Sequence, residues 1–365
     1  MSAEEAKEAV VDKGVKTPSE PARNLDSQSL RASRTVVIAE IGVNHNGSVE
    51  MAKRLVIEAR EAGADYAKFQ TFRADSVATR DSPLAQYQAR NATHHSQMDL
   101  LKSLELADRD FRELKIFCEN LGIGFLTTAH DLESAEFVFS LNLDWVKVPS
   151  GDITNYPFLA RVAELRQKVL LSTGVSTSAE VEQALLVLEE GGLSRSLVTV
   201  LQCTTEYPAP IHEANLRAMV GMGHEFSVAV GYSDHTLGYE AAIAAVALGA
   251  HVIEKHLTLS RTGDGPDHAA SLQPSEFAEM VLSIRAVESA LGDPQKKPSE
   301  SEIRNRDVVR KSIVATEEIR SGDVFSLENM GVKRPGSGIS PMKWNSLIGL
   351  KASRHFSIDE MIELP

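Results

Sequence analysis

The sequence predicts an α/β fold, a (β/α)8 TIM barrel followed by a small C-terminal β-rich domain. Three observations carry this. Short β-branched or apolar runs alternate with amphipathic stretches of helical period from residue 35 to residue 292. There are eight such runs, and eight β–α units in about 250 residues is the arithmetic of a closed barrel. The first β–α turn, GVNHNG, lacks the glycine fingerprint that a doubly wound nucleotide-binding sheet would place there.

The strand runs, in order, are TVVIAEIG (35–42), YAKFQTF (66–72), IGFLTTA (123–129), WVKVPSG (145–151), KVLLSTG (168–174), LVTVLQC (197–203), FSVAVGYSDH (226–235) and HVIEKHLTL (251–259). Between them lie helical patterns. In SVEMAKRLVIEAREAG, Met51, Leu55, Ile57, Ala59 and Ala62 suggest one buried stripe, and several of these segments end in Gly as helices commonly do. The irregular spacing lies between strands two and three. There, RADSVATRDSPLAQYQARNATHHSQMDLLKSLEL reads as a long functional loop with some helix of its own, and His94 and His95 within it read as ordinary loop histidines. PSEFAEMVLSIRAVESALG (274–292) is the closing helix. Pro, Ser and charge then mark a linker over 293–305, and 306–365 reads as a compact tail too small to be the catalytic unit. Residues 1–34, polar and charged, read as a disordered extension.

Composition limits the function. At 42% hydrophobic the 365-residue chain can bury a sizeable core. Lys+Arg 38 against Asp+Glu 51 gives a net charge of −13, which argues against a nucleic-acid or anionic-membrane partner. Residues 1–34 sum to zero and residues 297–365 to +1, so the −14 that remains belongs to the barrel segment. No signal-peptide pattern and no long uncharged apolar run is present, and two cysteines make no disulfide framework; a cytoplasmic protein is expected.

In barrel enzymes chemistry sits at the carboxyl ends of the strands. The polar residues there are Glu40, Lys68, Gln70, Thr127, Thr128, Lys147, Ser150, Asp152, Ser172, Thr173, Thr204, Thr205, Ser233, Asp234, His235, Glu254 and His256. Barrel interiors prefer branched aliphatics, and a buried Lys or Glu is expensive unless paired. His235 and His256 come from adjacent strands and can converge on a divalent metal, or serve separately as structural and substrate-binding groups. Lys68 and Lys147 read as an anion cradle, as ion-pair partners of Glu40 or Asp152, or as a Schiff-base lysine. Glu40 reads as a base, a water-orienting group or the counter-ion of Lys68. TGDGPDHAASL (262–272) is a rigid turn able to place Asp267 over the site, and KRPGSGIS (333–340) is a basic, Gly-rich loop.

The strings AEIGVNHNG (39–47), GADYAKFQTF (63–72), VKVPSGDITNYP (146–157), LSTG (171–174), CTTEYPAP (203–210), GYSDHTLG (231–238), IEKHLTL (253–259), GPDHAASL (265–272) and KRPGSGISP (333–341) occur in order from about residue 35 to the end. On these strings the chain resembles the sialic-acid synthases, the phosphoenolpyruvate-condensing family that includes N-acetylneuraminate, legionaminate and pseudaminate synthases. The resemblance implies a TIM barrel, an antifreeze-like (SAF) tail and a domain-swapped homodimer. It implies Mn²⁺ or Mg²⁺ on His235 and His256, with phosphoenolpyruvate and an N-acylated mannosamine-type sugar as substrates. It further implies that Glu40 orients water, that Lys68, Thr128, Lys147, Ser150 and Ser233 cradle the carboxylate and phosphate, and that Gln70 and Asp267 contact the sugar or order the site. Tyr207 lies in the matching sugar or phosphate loop, and Arg334 of the partner's tail would reach the sugar's acyl group. Two departures stand out. Asp152 replaces a Glu common in the family, where it would meet a sugar hydroxyl, and Thr205 replaces an Asn that would donate to phosphate. CTTEYP together with PSGDITNYP leans toward the legionaminate-type branch.

Overall fold

The computed structural model describes residues 34–79, 82–85, 88–89 and 96–364. The extension read over residues 1–34 therefore lies, apart from Arg34, outside the described residues, as do His94 and His95. The chain divides into two compact units, one ending at Gly292 and the other beginning at Asp293.

In the first unit the strands are β1 (Val36–Gly42), β2 (Tyr66–Thr71), β3 (Gly124–Ala129), β4 (Trp145–Val148), β5 (Lys168–Ser172), β6 (Val198–Cys203), β7 (Ala229–Asp234) and β8 (Val252–His256). They close in sequence order into a parallel barrel, β8 pairing back onto β1. Every strand falls inside its expected run.

Register decides what meets inside. Glu40 pairs with Lys68 on one side and His256 on the other, Gln70 with Thr128, Thr128 with Lys147, Cys203 with Ser233, and Ser233 with Glu254. Side chains alternate along a strand, so these residues share the interior face. Two positions earlier on the same face sit Ile38, Leu126, Leu201 and Val252, a buried apolar plug beneath the polar layer. The intervening residues, among them Ala39, Phe69, Leu171, Tyr232 and Ile253, point outward into the core shared with the helices.

The helices follow the periodic segments, with one correction to the first. Helix Val49–Glu61 buries Ala52, Leu55, Val56 and Ala59, while Ile57 is 38% exposed. The buried set follows i, i+3, i+4, i+7 spacing, and Ile57 lies about 200° around the helix from Leu55. The β2–β3 connection contains helices Ala74–Val77, Gln97–Leu104 and Asp108–Leu121. Leu100 and Leu104 join Val43 and Phe72 in a separate apolar cluster.

In the second unit, helix Glu300–Val309 occupies part of the stretch expected to be linker. Ser299 and Glu302 form a reciprocal capping box, which supports a helix even though none of its residues is buried. β9 (Ser312–Ala315) pairs antiparallel with β10 (Met330–Lys333) over a core that includes Ile313, Phe325, Phe356 and Ile362.

Gly231, on the interior face of β7, is a packing requirement. A Cβ there would stand 2.6 Å from both Leu201 Cδ2 and the Val252 carbonyl oxygen, and the latter is backbone that cannot rotate away. In urea melts Gly231→Ala is expected to destabilise by about 1–3 kcal/mol. Gly221→Ala, in helix Leu216–Phe226 with nothing within 4 Å, is expected to stabilise, by roughly 0.5–1 kcal/mol.

Candidate active site

At the carboxyl end of the strands the barrel opens into a cavity of about 190 Å³, lined among others by Glu40, Lys68, Lys147, Glu254, His235 and His256. Its floor is a cluster of four buried charges. Lys68 Nζ lies 2.6 Å from Glu40 Oε2 and 3.5 Å from Glu254 Oε2, while Lys147 Nζ donates to both Glu254 oxygens at 3.0 Å. Lys68 also donates to Thr128 Oγ1 (3.1 Å), Gln70 Nε2 to Glu40 Oε1 (3.2 Å) and Ser233 Oγ to Glu254 Oε1 (3.0 Å).

The protonation states follow from burial set against neighbours. Burial opposes ionisation of Glu254, but the ammonium groups of Lys147 and Lys68 outweigh it and hold the carboxyl well below its usual range. Glu40 is shifted the other way, because burial and the nearby Glu254 charge outweigh the pull of Lys68. Lys68 is raised, its burial overcome by Glu254 and Glu40, whereas Lys147 is lowered by burial and by repulsion from Lys68.

His235 and His256 converge as their strands require, with ring centroids 5.5 Å apart. His235 Nδ1–H donates to the Thr204 carbonyl at 2.7 Å, so its acceptor nitrogen in the neutral ring is Nε2. Burial lowers both histidines, His235 to about 4 and His256 well below 6.5, with the charges of His235 and Lys68 adding to the effect on His256. His256 Nδ1 is buried without a hydrogen-bond partner. The Tyr207 ring packs on both imidazoles, its centroid 4.1 Å from that of His235 and 5.6 Å from that of His256. Two neutral imidazoles, one carrying an orphaned buried nitrogen, fit an open divalent site completed by substrate oxygens. Among the described residues no group of three or more His, Cys, Asp or Glu is placed to hold a metal ion, so the two histidines would need further ligands from outside the protein.

The remaining expected residues divide. Gln70, Thr128, Ser150, Thr205, Tyr207 and Ser233 all line the cavity. Ser150 Oγ accepts from the Gly174 amide at 2.9 Å, and a Cβ on Gly174 would stand 2.1 Å from Thr205 Oγ1, so this glycine permits the close approach of three loops. Asp267 lines an adjoining chamber of about 210 Å³ that also touches Gln70, His130 and Tyr207 and has Phe72, Leu100 and Leu104 in its wall. Its carboxyl is pushed up to about 7 by burial and by the Glu40 charge, and it lies 3.7 Å from His256 Nδ1.

Asp152 is not among the cavity-lining residues. The 3-10 turn Ser150–Asp152 turns its carboxylate to accept from Asn155, 2.8 Å away, and Asn155 caps helix Tyr156–Glu164. Arg334 belongs to the second unit, where its Nε donates to the Val309 carbonyl at 3.1 Å. Glu254, the carboxylate that clamps both lysines, carried no assigned role in the sequence reading. The signal was present: it lies two residues before His256 on one strand and so must share its face.

The residues from 55 to 296 match the NeuB family model and those from 310 to 364 match the SAF domain. An N,N'-diacetyllegionaminic acid synthase of Campylobacter jejuni is 45% identical over 330 residues, 90% of this chain and 99% of that protein. This chain belongs to the NeuB family. A second N,N'-diacetyllegionaminic acid synthase, from Legionella pneumophila, is 41% identical over 88% of this chain and 91% of its own length. Among solved structures, an N-acetylneuraminic acid synthetase of Leptospira borgpetersenii superposes with a TM-score of 0.67 at 29% identity, covering 76% of this chain and 93% of that one. The NeuB match spans the strands that supply Lys68, Lys147, Glu254 and both cavity histidines, and begins after Glu40.

Two further histidines, His45 and His130, are held at about 4, His45 by burial and His130 by burial and the Lys68 charge. Both stay neutral in the fold, whereas in the unfolded chain they protonate around their ordinary value of 6.5. Between these values the unfolded state binds more protons, so stability is complete above pH ~6.5 and is lost as pH falls toward ~4. Each contributes up to about 1.4 kcal/mol per pH unit across that window. Urea melts between pH 7 and pH 4.5 are expected to show this decline, with a shallower slope for His45→Asn.

Proposed function

We propose that this chain is a phosphoenolpyruvate-dependent synthase. It joins phosphoenolpyruvate to the open-chain aldehyde of an N-acylated mannosamine-type sugar, giving a nine-carbon 2-keto acid and inorganic phosphate. The observation that carries the proposal is the meeting of Lys68, Lys147 and two neutral histidines in one cavity that adjoins a second chamber of mixed polar and apolar lining. Two chambers suit two substrates.

In this reading Lys68 and Lys147 receive the carboxylate and phosphate, with Thr128, Ser150 and Ser233 supplying hydroxyl groups. An ammonium largely shielded from bulk solvent is worth more to a phosphate than one at the surface. The C2=C3 π electrons of the enol phosphate form the bond from carbon 3 to the aldehyde carbon, whose oxygen takes up a proton and becomes a hydroxyl, leaving an oxocarbenium at carbon 2. Water adds at carbon 2, and phosphate leaves by C–O cleavage. Glu40, facing the cavity between Lys68 and Gln70, orients that water and takes its proton. Tyr207 and Gln70 border both chambers and hold the sugar between them.

His235 and His256 would hold Mn²⁺ or Mg²⁺, which when bound polarises the aldehyde as a Lewis acid. Arg334 of a partner subunit would contact the acyl group in a domain-swapped homodimer. Both cysteines are free and buried, in keeping with a cytoplasmic enzyme.

The acceptor we favour is a 2,4-diacetamido-2,4,6-trideoxymannose, as the names of the 45% and 41% identical relatives support. Phe72, Leu100 and Leu104 suit a deoxy carbon or an acetamido methyl better than a phosphate.

Phosphate release is expected only with both substrates present, and mass spectrometry of the products identifies the sugar. The diacetamido sugar should outcompete N-acetylmannosamine, and N-acetylmannosamine 6-phosphate should be the poorest acceptor. EDTA should abolish activity and Mn²⁺ restore it; turnover that survives rigorous chelation removes the metal from the reading. Borohydride trapping of a pyruvate adduct on Lys147 would replace condensation by Schiff-base aldol chemistry. Lys68→Met should lower kcat/KM for phosphoenolpyruvate by roughly 10²–10³-fold.

A further inference from the structure

One buried ion pair takes no part in the chemistry described above. Asp234 and Lys255 are register partners on β7 and β8, both side chains are 0% exposed, and Asp234 Oδ2 lies 3.0 Å from Lys255 Nζ. Each immediately precedes one of the two cavity histidines. Ser233 and His235, like Glu254 and His256, line the cavity, so alternation turns Asp234 and Lys255 to the opposite face of the strands, away from substrate.

A pair this deep is poorly explained by stability. Desolvating two charges costs about what their attraction returns, and apolar replacements of similar volume are often as stable or more so. Its geometry gives it another task. Asp234 Oδ1 accepts from both the amide (2.9 Å) and the hydroxyl (2.8 Å) of Thr236, and Lys255 Nζ donates to the Thr236 carbonyl at 2.5 Å. All three polar groups of Thr236 are therefore held, two by its own strand and one by the neighbouring strand. His235 lies between Asp234 and Thr236, so its backbone is gripped on both sides, while its ring is oriented by the Thr204 carbonyl.

We propose that the Asp234–Lys255 pair is a positioning device that fixes the backbone around His235 against β8, so that His235 and His256 present their imidazoles to one metal ion. The inference rests on the two-histidine metal reading above. Neither residue is catalytic; both act through the histidines.

The test is Mn²⁺ binding by the full-length protein, measured by electron paramagnetic resonance of the free ion, alongside thermal unfolding. The charge-neutral double variant Asp234→Asn/Lys255→Met keeps the packing and a Thr236 acceptor but loses the cross-strand grip on the carbonyl. It should melt within a few degrees of wild type while Mn²⁺ affinity falls by about 10–100-fold, the usual size of effects from groups that orient metal ligands. Thr236→Val, which removes one hydrogen bond and no charge, should move affinity the same way by a smaller factor, and it carries the test if the double variant does not fold. Wild-type Mn²⁺ affinity in the folded variants overturns the inference and leaves the metal reading intact. If wild type holds no Mn²⁺, or His235→Ala binds it as tightly as wild type does, the metal reading itself fails and takes this inference with it.

Discussion

Four charges largely shielded from bulk water set the terms for this barrel. Glu40, Lys68, Lys147 and Glu254 come from β1, β2, β4 and β8, and each would cost several kcal/mol to bury alone. They are tolerable only because closure of the barrel brings them within hydrogen-bonding reach of one another. The register Glu40–Lys68 and the bidentate clamp of Glu254 on Lys147 are thus conditions of folding as well as features of a site. The apolar plug beneath, with Gly231 making room for Leu201 and Val252, holds that register in place.

The same cluster reconciles an acidic chain with an anionic substrate. Net charge governs long-range encounter and discourages polyanionic partners. Inside the cavity the balance is local: two ammonium groups face two carboxylates across about 3 Å, where low polarity strengthens every contact. In the reading proposed here, phosphoenolpyruvate enters a cluster already near neutrality, so the lysines must exchange carboxylate partners for substrate oxygens. Burial keeps the histidines neutral, the form in which an imidazole binds a metal.

Much of this was legible residue by residue. Hydrophobic period located every barrel strand, and the rule that barrel chemistry sits at strand carboxyl ends picked out Glu40, Lys68, Lys147, His235 and His256. Where the structure differs from what local patterns suggest, the reasons are local. Asp152 adjoins Ser150 in sequence, but a single 3-10 turn is enough to swing its carboxylate onto Asn155. The expected stripe on the first helix takes Ile57 where Val56 is buried, although about 100° per residue puts Val56 and not Ile57 on the face of Ala52, Leu55 and Ala59. The stretch expected to be linker carries a helix because a capping box supports one even where nothing is buried.

By itself, then, the sequence determined the barrel, the tail that follows it and the chemical types gathered at the strand ends, since these depend on periodicity and on alternation along single strands. Tertiary structure alone decided the pairing. That Glu254 rather than Asp152 is the counter-ion of Lys147, that Tyr207 packs its ring against His235, and that Lys255 reaches the Thr236 carbonyl all depend on contacts between residues from 19 to 107 apart in the chain. Such contacts exist only after eight strands have closed with one register, and no local preference encodes a distance across the barrel.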